Sequence, residues 1–157
     1  MALRNIRTEG DPVLAAVCKP VAAVDDHVRE ILDDMTETMR AADGVGLAAP
    51  QVGIRRRIVV IEVEDQLYEL INPVIVKEEG EQYGSEGCLS VPGYAGDVKR
   101  PMTVTVKALD RNGQEQEYTG SGLLARAFCH ELDHLEGILY TSKADNLGKL
   151  GEEEDEE

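Results

Sequence analysis

The sequence predicts an α+β fold: antiparallel β-strands packed around a C-terminal HExxH metal-binding helix, with a long N-terminal helix. Three observations point there. One early and one late segment repeat apolar residues at helical spacing. The stretch between them is rich in β-branched residues and broken by turn signals. Helices and strands are segregated along the chain, which argues against the βαβ alternation of a parallel sheet.

In chain order, Val28, Ile31, Leu32, Met35, Met39 and Ala42 recur at three- and four-residue steps. This is one apolar stripe on a helix from about Asp26 to Ala42. Asp25 or Asp26 caps its start, and Gly44 lies just past its end. Arg57–Val63 is β-branched and reads as a strand. Leu67–Ile71 follows a short polar turn and is expected to end at Asn72-Pro73. Pro73–Val76 leads into a polar stretch, Lys77–Gln82. Met102–Leu109 alternates as a half-buried strand does, and Asp110-Arg111-Asn112-Gly113 is a hairpin turn. Gln114–Tyr118 returns from it. A second helix fits Ser121–Leu135, with Ser121 as its cap and Gly137 at its end.

The chain has 157 residues, 42% of them hydrophobic, enough for one domain with a real core. Its net charge is −15. That balance argues against DNA binding or an RNA-coating role, which needs a basic face, and against docking on anionic lipid. No apolar run approaches a membrane span, and nothing near Met1 suggests secretion, so the expected location is cytoplasmic. Three cysteines do not make a disulfide framework. Residues 152–157 are all acidic, and setting them aside raises the charge to −9. The expected division is a single catalytic domain over 1–147 and a disordered acidic tail over 148–157.

The sharpest motif is His130-Glu131-Leu132-Asp133-His134. Residues four apart on a helix lie about 40° apart around its axis, so both imidazoles lean toward one point and can share a metal. Glu131, one step on, can face a water without ligating the ion. A catalytic site of zinc type needs a third protein ligand. Downstream, Glu136 and Asp145 are available but read as solvent-facing. Upstream, Cys88 sits in the turn-like Glu86-Gly87-Cys88-Leu89-Ser90. Cys129 points away from His130 and reads as core, as does Cys18. A third segment, Gly44-Val45-Gly46-Leu47-Ala48-Ala49-Pro50-Gln51, has glycines that admit close backbone approach and an amide able to donate to an oxyanion.

In this order, GVGLAAPQ (44–51), EGCLS (86–90) and HELDH (130–134) resemble the peptide deformylases. Gly10-Asp11-Pro12, Ile71-Asn72-Pro73 and Gly137-Ile138-Leu139-Tyr140 extend the resemblance over about Ala2–Tyr140. The resemblance implies removal of the formyl group from the N-terminal N-formylmethionine of nascent polypeptides, releasing formate. It implies Cys88, His130 and His134 as metal ligands, with Fe2+ as the natural ion and Zn2+, Ni2+ or Co2+ able to substitute. In that scheme metal-bound water attacks the formyl carbon, with Glu131 as general base and then acid. Gln51 and the Leu89 backbone N–H stabilise the oxyanion, and the Gly46 backbone binds an extended substrate much as an added strand would be bound. Val45, Leu123 and Ala127 are the candidates for the methionine pocket.

Two departures from the family pattern stand out. Cys129 occupies the position before the HExDH stretch where many members have Gln. The Arg that some members carry shortly after EGCLS is missing, with Lys99 and Arg100 only later. Some members also have a basic C-terminal helix that touches the ribosome. An acidic tail would repel RNA, so no tail-mediated docking is expected. Two other classes compete. An HExxH peptidase of another kind would need a downstream ligand, and a non-enzymatic binding module would have no use for Glu131.

Overall fold

A computed structural model describes residues 2–149 of the chain. Helix α1 spans Asp26–Ala41, and its cap is Asp25, whose Oδ1 accepts from Val28 N–H at 3.0 Å. Helix α2 spans Leu123–Leu135. Among the described residues, eight strands follow in chain order: β1 (Gly46–Ala48), β2 (Ile58–Val63), β3 (Gln66–Glu79), β4 (Gln82–Cys88), β5 (Val91–Arg100), β6 (Thr103–Leu109), β7 (Glu115–Ser121) and β8 (Asp145–Lys149). They form two sheets with antiparallel ladders, one in the order β1-β2-β3-β6-β7 and one in the order β4-β5-β8.

The five-stranded sheet is covered on both faces. Ile58 and Val60 of β2 pack with Ile31, Leu32, Met35 and Met39 of α1. Val59 and Ile61, pointing the other way, pack with Ala125, Phe128 and Leu135 of α2. A strand stretch buried on both faces is apolar at successive positions, which is why the buried part of β2, residues 58–61, is an unbroken β-branched run. Cys18 and Cys129 lie in the α2-side core, as their setting in the sequence indicates. The three-stranded sheet has its own small cluster around Val91, Val98 and Tyr140.

Three sequence expectations change. Strand β3 does not end at Asn72-Pro73. Asn72 takes φ +53°, and its side chain exchanges hydrogen bonds with the Val21 backbone at 2.8 and 2.9 Å. The ladder to β6 shifts register between Ile71 and Val74, so a bulge absorbs the proline and the strand continues. Ser121 does not cap α2: it ends β7, its Oγ 2.8 Å from Thr103 Oγ1, and Gly122 holds the N-cap position without a side-chain bond. Finally, β4 and β5 fill a region where the sequence shows no alternation. Cys88 is accordingly the last residue of a strand, followed by a tight turn at Leu89-Ser90.

The C-terminal end of α2 follows its sequence signal. Gly137 has φ +76°, its N–H donates to His134 O, and Ile138 N–H donates to Asp133 O. This is the Schellman arrangement. Strand β8 includes Gly148 and Lys149, which the sequence reading gave to the tail. The acidic run 152–157 lies outside the described residues.

Candidate metal centre and cleft

Helix α2 and the end of β4 meet at one point. One ligand atom each from Cys88, His130 and His134 lies within 4.8 Å of the others. Cys88 Sγ is 3.4 Å from His134 Nε2, and the imidazole rings are 5.0 Å apart at 77°. His130 Nδ1 sits 2.8 Å from Glu86 Oε1, which leaves Nε2 for an ion. A ligating histidine characteristically gives its other nitrogen to a carboxylate in this way. His134 is 1% exposed, and its Nδ1 is buried without a partner among the described residues. Glu136 and Asp145 are elsewhere: Glu136 pairs with Arg57, and Asp145 accepts from Tyr83.

A single carboxylate organises the surroundings. Glu86 accepts from Arg100 through two bonds at 2.7 and 2.9 Å and from Arg126 Nη1 at 2.7 Å. Burial alone would raise its pKa, but Arg100 and His130 outweigh it and hold Glu86 down at about 2. Arg100 continues to Asp133 at 2.8 Å, and Asp133 also pairs with Lys143. Arg100 is 4% exposed and bonded through Nε, Nη1 and Nη2, so it does not stand in for the arginine missing after EGCLS.

The protonation tendencies suit a cation. Burial drives His134 down to about 3, keeping its lone pair free. Burial also opposes a charge on His130, yet Glu131, Cys88 and Glu86 together pull it up to about 10. The negative field that holds a proton there is the field a divalent ion would meet. A thiolate and two imidazoles also match the donor set of d-block metal sites. The residues therefore fit a metal.

Glu131 lies beside this group, its Oε2 4.0 Å from His130 Nε2. It is 4% exposed and its Oε1 is buried without a partner among the described residues. Desolvation lifts its pKa to about 7. Strand β1 runs directly over it: a Cβ on Gly46 would fall 2.6 Å from Glu131 Oε2. A Cβ on Gly44 would fall 2.6 Å from Leu89 Cδ1, so the two glycines make room for Leu89 and Glu131. Gln51 Oε1 accepts from Ala48 N–H at 2.9 Å. That bond turns the amide nitrogen to the site, 3.6 Å from Cys88 Sγ and 3.1 Å from Ser90 Oγ.

A cleft of about 430 Å³ opens over these groups. Val45, Gly46, Gln51, Leu89, Leu123 and Ala127 line it, beside Cys88, His130 and Glu131. Val45 and Leu123 are exposed at its rim, whereas Ala127 is buried. The sequence reading missed Glu86, Arg126 and Tyr94 on the wall, and Arg100 and Asp133 behind it. A usable signal existed for Arg126, which precedes His130 by four residues and so shares the stripe of His130 and His134.

A metal-ligand triad with a desolvated carboxylate at the floor of an apolar cleft is the equipment of a metallohydrolase, and this fold and site place the chain in that class. The polypeptide deformylase family model matches residues 3–150. The peptide deformylase of Caldanaerobacter subterraneus is 61% identical over 143 residues, covering 91% of this chain and 90% of the relative. That of Thermoanaerobacter pseudethanolicus is 57% identical over 157 residues, covering 100% and 98%. A crystal structure of the Synechococcus elongatus peptide deformylase in complex with actinonin superposes with a TM-score of 0.88 at 44% identity, covering 91% of this chain and 79% of that one. The chain belongs to the polypeptide deformylase family, metal-dependent hydrolases that remove the formyl group from N-formylmethionine peptides.

Proposed function

We propose that the cleft receives the formyl-methionyl end of a nascent chain and that Cys88, His130 and His134 hold one Fe2+ ion beneath it. The observation that carries this reading is the convergence of the three donor atoms beside Glu131, a buried carboxylate with an unpartnered oxygen. When bound, the ion supplies a Lewis acid that makes water nucleophilic near neutral pH, and Zn2+, Ni2+ or Co2+ can take the same donors.

The chain's own groups do the rest. Glu131 accepts the proton of the attacking water and returns it to the departing amine. Its raised pKa suits both halves of that cycle. Gln51 and the Leu89 N–H donate to the oxyanion that forms at the formyl carbon, and one such donor is worth about 3–4 kcal/mol of barrier. Strand β1 is the edge of its sheet, so the Gly46 backbone is available to an extended peptide. Val45, Leu123 and Ala127 surround the methionine side chain.

The reading places the enzyme in the cytoplasm, where formylated chains emerge. Among the described residues, no helix is long and apolar enough to cross a membrane. The acidic segment 152–157 repels ribosomal RNA and does not serve as a docking element. Ribosome binding that vanishes when this segment is deleted would overturn that point.

The test is formate release from a formyl-Met peptide by anaerobically prepared, Fe2+-loaded protein. Release by wild type and none by Glu131→Gln supports both the reaction and the role of Glu131. No release with one metal bound per chain would overturn the substrate assignment.

A further inference from the structure

We propose that Arg126 is a positioning residue for the metal ligands, locking the helix that carries His130 and His134 to the sheet that carries Cys88. The inference rests on the metal-site reading above and adds to it.

The ligand triad is divided between two bodies. His130 and His134 belong to α2, whose apolar face is committed to the five-stranded sheet. Cys88 ends β4 in the other sheet, whose own cluster is built from Val91, Val98 and Tyr140. Leu89, next to Cys88, packs against the core of the five-stranded sheet, and polar contacts add to the mutual register of the two bodies. A displacement of 1 Å between them would spoil a shared coordination site.

Arg126 supplies much of that register. It lies one turn before His130 on the same stripe of α2. Its side chain is 9% exposed. Nη1 donates to Glu86 Oε2 at 2.7 Å, Val98 O at 3.1 Å and Gly84 O at 3.3 Å, and Nη2 donates to Gln82 Oε1 at 3.3 Å. Each acceptor is on β4 or β5. One guanidinium from α2 therefore grips both strands leading to and from Cys88, and only its planar fork can reach several acceptors at once.

The second consequence runs through Glu86. Its Oε1 receives His130 Nδ1 and Arg100 Nη2, while Oε2 receives Arg126 Nη1 and Arg100 Nε. Removing Arg126 leaves Glu86 still paired with Arg100, so no buried charge is orphaned. The fold is therefore expected to survive, while the carboxylate that orients His130 loses one of its ties to α2 and keeps those through His130 itself and through Arg100 to Asp133. Loss of a direct partner of a metal ligand costs about 10–100-fold in affinity, and Arg126, one step behind that partner, is expected at the low end of the range.

The experiment loads wild type, Arg126→Met and Arg126→Lys with Co2+. It follows the thiolate-to-cobalt absorption band, the rate of cobalt release to a chelator, and thermal unfolding of the metal-free proteins. A thiolate band in wild type establishes the ligand set; its absence overturns that reading before Arg126 is tested. Given the band, Arg126→Met is expected to release cobalt at least about tenfold faster, with Arg126→Lys in between and metal-free unfolding close to wild type. Release by folded Arg126→Met within twofold of wild type overturns the proposal. If Arg126→Met does not fold, Arg126→Lys decides: release at least threefold faster supports the proposal, and slower release than that overturns it.

Discussion

Gly46 and Glu131 are in contact across the cleft floor, close enough that a methyl group on the glycine would fall 2.6 Å from Glu131 Oε2 and 2.9 Å from its Cγ. The glycine segment 44–51 thus shapes the space around the Glu131 carboxylate. Gly46→Ala is expected to push the carboxylate aside, lowering kcat/KM at least about tenfold, since small misplacements of reacting groups cost that much or more. Metal content should stay at the wild-type level. Formate release and metal analysis on the same preparation check both halves.

Glu131→Gln removes the proton acceptor and keeps the side chain's shape. Turnover is expected to fall by about 10²–10⁴-fold. Bound metal and the thermal transition of the loaded enzyme should persist. A variant that retained wild-type formate release would assign the proton transfer to another group.

Acidity should govern both rate and stability. Glu131 is pushed up to about 7 by burial, so kcat/KM is expected to rise with pH along an acid limb, and a bound cation would shift that limb downward. In the metal-free protein the folded carboxyl holds its proton more tightly than the unfolded one. Its contribution to stability is full below about pH 4.5 and is lost as pH rises through about 7. Melting curves of metal-free wild type, relative to Glu131→Gln, should therefore decline between pH 5 and 8.

Glu86 has the opposite sign. Its pKa lies at about 2 in the folded chain, so its contribution is present above about pH 4.5 and is lost as pH falls toward 2. The shift corresponds to roughly 3 kcal/mol at neutral pH. Glu86→Gln is expected to blunt acid unfolding over that window, which circular dichroism against pH measures.

Gly137→Ala tests the end of α2. The position has φ +76°, and a Cβ there would meet the Ala15 carbonyl oxygen at 2.5 Å, a backbone atom with little freedom to yield. Left-handed strain alone costs about 1–3 kcal/mol. Urea unfolding should shift by at least that amount, while kcat of the remaining folded enzyme stays near wild type.

The sequence carried the site more clearly than the scaffold around it. His130, Glu131 and His134 were legible because helical spacing is fixed, and Cys88 and Gln51 because their motifs resemble a family pattern. Helix α1 and strand β2 were legible through apolar periodicity and an unbroken β-branched run. Strands β4 and β5 were not, because Gly84, Gly87, Gly93 and Gly96 interrupt any alternation. The Glu86–Arg100–Arg126–Asp133 network was hidden for a related reason. A charged residue normally signals solvent, and only the tertiary arrangement shows that these charges neutralise one another in the interior. Ser121 and Asn72-Pro73 misled because a local cap or strand stop can be overridden by pairing with Thr103 and by a bulge.

Strand β2 sends alternate side chains into two different cores, Ile58 and Val60 to one and Val59 and Ile61 to the other. Neither helix can then loosen without disturbing the strand that seats its counterpart. The two layers should open to solvent together, with amides of α1, β2 and α2 exchanging hydrogen through one shared global event rather than as separate subunits of the fold. Helix α2, which carries His130 and His134, inherits its steadiness from a helix on the far side of the sheet.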